Sequence, residues 1–179
     1  MKILRRTYFG NPVLRAEAKL LTKAEISTPE VQQLIGDLQH TLKNRAYGVG
    51  LAAPQVGSSI ALSVIGIKPT PTRKDLKPFE LVIINPVIVR TYGNRTGMWE
   101  GCISGTELYA KAMRYKKIRM RWLDENALEH EQDFSGFVAH VLQHEVDHLH
   151  GILFVDKVKD TKTYMTFGEY NRRVKSGSL

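Results

Sequence analysis

Only one cysteine stands in the chain of 179 residues, so no internal disulfide can form. Long apolar runs are lacking as well, and no charged-then-apolar leader opens the sequence, which argues against secretion and membrane insertion. A reducing cytoplasm is the expected setting, with no membrane partner. No internal repeat or low-complexity tract is visible, and the length suits one domain that buries a core without covalent staples. A single domain over 1–179 is therefore expected, ending in a helical tail from about 157.

Acidic residues are the scarcer sign, 18 against 26 basic, for a net charge of +8. That excess favours polyanions, but it also aids solubility, and the basic residues are scattered. A solvated surface is the preferred reading over a nucleic-acid site. Nucleotide signatures are incomplete too: Gly48-Val49-Gly50 lacks the third glycine of a dinucleotide fingerprint, and no Gly-Lys-Ser/Thr is found. Left to itself, the small-residue run Gly48 to Gln55 reads as a tight turn with close packing.

Helical spacing is clear in two places. Ser27-Thr28-Pro29-Glu30 is a capping signal, and Val31, Leu34, Ile35, Leu38 and Leu42 keep one face to about Ala46. His40 falls on its polar side. The second helix is expected from an N-cap at Ser135 to a stop at Gly151, with Val138, Leu142, Val146 and Leu149 as its apolar stripe.

Strands fill the middle: Ile60 to Ile67, then Leu81 to Thr91 with a bulge or sheet edge at Asn85-Pro86. Residues 68–78 read as a surface loop. Lys117 to Leu123 alternates, with Ile118, Met120 and Trp122 to one face, and Leu128 to Phe134 pairs back after an Asp124-Glu125-Asn126 turn. Lys2 to Leu20 reads as an extended arm, a turn and one helical turn, with no recognisable chemistry.

The second helix carries Gln143-His144-Glu145-Val146-Asp147-His148. Histidines four apart stack on one helix face and can grip one metal ion, while Glu145 reaches a water bound to it. A catalytic site of this kind needs a third protein ligand. Cys102, in Glu100-Gly101-Cys102-Ile103-Ser104, has three readings: inert small hydrophobe, nucleophile paired with a histidine, or thiolate ligand completing the set.

Gly48 to Gln55, Glu100 to Ser104 and Gln143 to His148 together resemble the peptide deformylase family, whose pattern runs G-x-G-L-A-A-P-Q, E-G-C-L-S and Q-H-E-x-D-H. The likeness extends from the capped helix to Leu153-Phe154-Val155-Asp156. It implies an α+β fold with antiparallel β-sheets packed around a central metal-bearing α-helix. It also implies a hydrolase that removes the formyl group from N-terminal formyl-methionine of newly made polypeptides, releasing formate. One divalent ion is implied, Fe2+ in the cell, with Zn2+, Ni2+ or Co2+ able to substitute.

By the same resemblance Cys102, His144 and His148 hold the ion and Glu145 is the base. The Gln55 amide and the Ile103 N–H meet the oxyanion. Val49, Gly50, Gly101, His140 and Val141 would contact the substrate, His140 standing where the family lines the methionine pocket. Glu100 would pair with Arg114, and the glycine-alanine loop becomes a wall of the site.

The sequence departs from the pattern in three places. Ile103 replaces leucine. Gly105, Thr106 and Tyr109 stand where an apolar residue, proline and a later arginine are usual, so recognition beyond the first residue is expected to differ. His140 replaces an apolar residue and is expected packed or facing the substrate; His130 and His150 are assigned to the surface. From Asp156 to Lys175 six basic residues face three acidic ones, and Tyr164, Met165, Phe167 and Tyr170 add an apolar component. This segment is a candidate contact for the ribosome.

Overall fold

The computed structural model describes residues 1–69, 76–105 and 107–179. Most of the expected 68–78 loop, at 70–75, and Thr106 lie outside the described residues.

Strand alternation decides what lies on each side of the sheet. Five strands follow in chain order, each antiparallel to the next: β1 (Gly50–Ala52), β2 (Leu62–Ile67), β3 (Phe79–Gly101), β4 (Leu108–Leu123) and β5 (Glu129–Ser135). A short β6 (Met165–Thr166) joins β4. Four helices accompany them: α1 (Lys23–Ile26), α2 (Pro29–Lys43), α3 (Gly136–Leu149) and α4 (Phe167–Ser176).

Because side chains switch faces at every strand residue, Leu62, Val64 and Ile84 pack with Ile35, Leu38 and Leu42 of α2. Their neighbours Ile65, Ile67 and Ile83 join Ile118, Met120 and Phe134 against Ala139, Leu142 and Val146 of α3. The result is α+β, as expected, with one sheet and a helix on each face.

Local chemistry sets the ends of these elements. Thr28 caps α2 by accepting from the Val31 N–H, and Pro29 fits the first turn because its missing N–H has no intrahelical partner there. That helix stops at Lys43, three residues short of the expected end, where the Asn44 amide turns back to the His40 carbonyl at 2.8 Å. Ser135 is the N-cap residue of α3, although its hydroxyl makes no capping bond. Gly151 terminates α3 at φ +66°, a backbone that only glycine adopts freely.

β3 is much longer than the expected Leu81 to Thr91. Its ladder with β4 shifts register between Ile84 and Val87, Ile88 and Arg90, and Tyr92 and Arg95. The first shift lies at Asn85-Pro86, where the bulge was anticipated. There the Asn85 amide clasps Leu21, accepting from its N–H and donating to its carbonyl. The extra length carries β3 to Gly101, so Cys102 emerges where the strand ends.

Candidate metal centre and active site

Strand β3 and helix α3 bring their chemistry together. Past Gly101 the chain turns, closed by the Gly105 N–H on the Cys102 carbonyl at 3.0 Å, and this turn aims Cys102 at α3. The Cys102 Sγ lies 3.3 Å from His148 Nε2, which lies 3.2 Å from His144 Nε2. The three donor atoms fall within 4.8 Å of one another. Tetrahedral bonds of about 2.1–2.3 Å set ligand atoms roughly 3.4–3.7 Å apart, so this set fits one ion. One soft sulfur and two imidazoles suit iron, zinc or nickel, and not calcium or magnesium.

Glu100 holds the centre from behind. Only 4% exposed, it accepts from Arg114 Nε at 2.6 Å and Nη2 at 3.0 Å. It also meets His140 Nε2 at 2.7 Å and His144 Nδ1 at 2.8 Å. The last contact leaves His144 Nε2 to face Cys102 and His148, the orientation a ligand needs. Burial opposes charge on Glu100, but His140, His144 and Arg114 outweigh it and hold the carboxyl well below its usual range. Asp147 caps the arrangement by pairing with Arg114 Nη1. The expected Glu100–Arg114 pair is thus the centre of a hub, with His140, His144 and Asp147 held around the carboxylate and its arginine.

Glu145, one residue round the helix from His144, is 3% exposed, and its Oε2 has no partner among the described residues. Burial pushes its pKa up to about 7. A cation on the neighbouring ligands would favour its carboxylate form. Burial also keeps His148 neutral, well below its ordinary value, as a ligand must be. Gly50 makes room: a Cβ there would lie 2.2 Å from Glu145 Oε1.

The Gln55 amide has a fixed orientation, because its Oε1 accepts from the Ala52 N–H at 2.8 Å. Its Nε2 donors therefore face the centre, 3.3 Å from Cys102 Sγ and 3.4 Å from Ser104 Oγ.

These groups open onto a cavity of about 560 Å³, also lined by Val49, Gly50, Gly101, Ile103, His140 and Val141. His140 is buried, with its Nε2 turned to Glu100 and its ring edge-on to Phe137, so that polar edge points away from a bound side chain. Tyr109 packs on Gly101, where a Cβ would come within 2.4 Å of its ring. His150 is exposed, and His130 is half-exposed and stacked on Trp122.

The N-terminal arm, read as without chemistry, reaches the site. The Thr7 N–H bonds the Gln55 carbonyl at 2.8 Å and the Phe9 N–H the Ser104 carbonyl at 3.0 Å, while Arg6 Nη1 donates to the Ile103 carbonyl at 3.1 Å. Three consecutive contacts tie the Gln55 and Ile103 segments together. They end on backbone carbonyls, so no sequence pattern announces them.

An α+β fold that sets a buried carboxyl group beside a cysteine sulfur and two imidazoles fits a class of protein, the metal-dependent hydrolases. Comparison narrows the class: the polypeptide deformylase family profile matches residues 3–164. Peptide deformylase of Leptospira biflexa is 42% identical over 157 residues, covering 87% of each chain. That of Chlorobaculum parvum is 42% identical over 151 residues, covering 84% of this chain and 77% of its own. Among solved structures, a class I type b peptide deformylase of Acinetobacter baumannii bound to Met-Ala-Ser has TM-score 0.82 at 30% identity, covering 87% of this chain and 98% of its own. A peptide deformylase of Synechococcus elongatus in complex with actinonin has TM-score 0.77 at 35% identity, covering 96% and 86%.

The chain belongs to the peptide deformylase family. It is a metal-dependent hydrolase that removes the formyl group from N-terminal formyl-methionine.

Proposed function

We propose that Cys102, His144 and His148 hold Fe2+ in the cytoplasm and that Glu145 carries the proton of the reaction. The carrying observation is the buried, unpartnered Glu145 Oε2 beside the three-donor set. A divalent ion bound there supplies Lewis-acid polarisation and lowers the pKa of a water.

Glu145 takes one proton from the attacking water as its oxygen bonds to the formyl carbon. The Gln55 amide and the Ile103 N–H meet the oxygen that becomes negative; each such donor is typically worth about 3–4 kcal/mol. As the C–N bond breaks, Glu145 returns that proton to the amine; the hydroxyl proton remaining on the acid is then lost, leaving formate and an ammonium N-terminus. Gly50, on the outer edge of β1, offers backbone groups to the peptide with Val49 beside it, the Val49 carbonyl itself accepting from the Gly66 N–H at 3.0 Å, while Gly101, His140 and Val141 wall the methionine pocket. The Met-Ala-Ser peptide held by the Acinetobacter baumannii relative is such a product, which supports this placement.

Formate release from a formyl-methionyl peptide tests the reading. Protein loaded anaerobically with iron should turn over faster than zinc-loaded protein and lose activity in air as the thiolate oxidises. Equal, air-stable rates for both metals would refute iron as the working ion.

The partner reading rests on the basic end of the chain. Arg172 and Arg173 both pair with Glu169, and Lys157 pairs with Asp147, which leaves Lys159, Lys162 and Lys175 for phosphates. Truncation after Tyr170 should lower ribosome co-sedimentation at low salt; unchanged co-sedimentation would remove that role.

A further inference from the structure

We propose that the cavity behind Arg114, between α3 and the far half of β3, is a second binding site and that it takes a phosphate group, as inorganic phosphate or as the head of a phosphomonoester. It measures about 270 Å³. It shares no lining residue with the catalytic cleft.

Strand register sets the lining. β3 carries one extra residue between Ile88 and Arg90, so that Ile88 opposes Met120 and Thr91 opposes Ile118, on the face that packs against α3. Thr91 and Arg95 of β3 thereby meet Arg114 and Tyr115 of β4, Asp147 of α3 and Lys157 of the turn Phe154–Lys157. Gln143 also lines the cavity, but its amide is committed to the Tyr115 N–H and carbonyl.

Arg114 carries the inference. It is 3% exposed, and its guanidinium has five N–H donors to place. Nε and Nη2 donate to Glu100 and Nη1 to Asp147, which accounts for three. One N–H on each terminal nitrogen is left without a protein acceptor among the described residues, and Arg114 lines this cavity and not the cleft. A buried guanidinium with spare donors calls for an acceptor, and an oxyanion is its strongest one.

Charge points the same way. Arg95 is exposed and pairs with no carboxylate among the described residues; its guanidinium rests over the Tyr115 ring, 5.0 Å from the centroid. Lys157 reaches Asp147 only at 3.7 Å. Arg95, Arg114 and Lys157 therefore face two carboxylates, Asp147 in the cavity and Glu100 behind Arg114, and one positive charge of these five groups stays uncompensated. Such a cluster repels a cation. Guanidinium, ammonium and the hydroxyls of Thr91 and Tyr115 come from separate elements, a spread of donors that suits a tetrahedral phosphate better than a planar carboxylate.

The test is calorimetric titration of the zinc-loaded full chain with sodium phosphate, glycerol phosphate and acetate at one ionic strength. Phosphate or its ester should bind once per chain with about millimolar affinity or tighter, and acetate more weakly. Tighter binding of glycerol phosphate would assign a phosphomonoester, and tighter binding of phosphate the free ion. Arg95→Met and Lys157→Met, both outside the reaction machinery, should each weaken binding by about tenfold, since each removes a charge-assisted hydrogen bond. No binding beyond that of acetate overturns the site. So does phosphate that stays bound in both variants and competes with the formyl-peptide, because it then lies at the metal.

Discussion

Glu100 shows how one residue can organise a site through the side chains it holds. Its carboxylate orients His144, a ligand, and is itself fixed by Arg114 and His140. Removing such a partner typically lowers metal affinity about 10–100-fold, so Glu100→Gln should lose its metal to a chelator at concentrations the parent withstands. Metal content equal to the parent's after the same dialysis would contradict that role.

At this scale much of the centre was legible. Histidines four apart fix a face and leave one ligand wanting, while Cys102 kept three readings until the family resemblance made it the third ligand. The His144–Glu100 bond, the Asp147–Arg114 pair and the Arg6 contact were not, because they join residues 33 to 97 positions apart. His140 stood out in the sequence, yet the neighbour that takes its Nε2, Glu100, lies on another element.

Elements carry the same division between local and distant causes. Helix α2 and the β4–β5 hairpin follow from caps, turn residues and alternation, all within a few positions of one another. The second half of β3 does not, since Gly93, Asn94 and Gly97 read as turn residues and only pairing with β4 keeps that stretch extended. The C-terminal segment, read as basic with an apolar component, packs its Tyr170 ring on Trp99 and Tyr109, which its Tyr and Phe residues already suggested.

Helix α3 must stop on time to keep His148 in place. A Cβ at Gly151 would lie 2.5 Å from the Arg15 carbonyl oxygen, at a φ that side chains avoid. Gly151→Ala should therefore cost at least about 1–2 kcal/mol, seen as a lower urea midpoint. An unchanged midpoint would show that the turn relaxes freely.

Across the whole molecule, the antiparallel sheet keeps two apolar cores apart, and the reactive groups gather where their supports converge. The sheet end brings Cys102, α3 brings His144, Glu145 and His148, and the edge at β1 brings Gly50 and Gln55. The N-terminal arm ties the Cys102 segment to the Gln55 segment. An ion held on Cys102, His144 and His148, with Glu145 left free of it, is the central claim about this assembly. It is tested most directly by measuring bound metal and formate release together in Glu145→Gln. The variant should keep one metal ion per chain while its rate on a formyl-methionyl peptide falls by on the order of 10² to 10⁴. Loss of the metal along with the activity would contradict the assignment and make Glu145 a ligand.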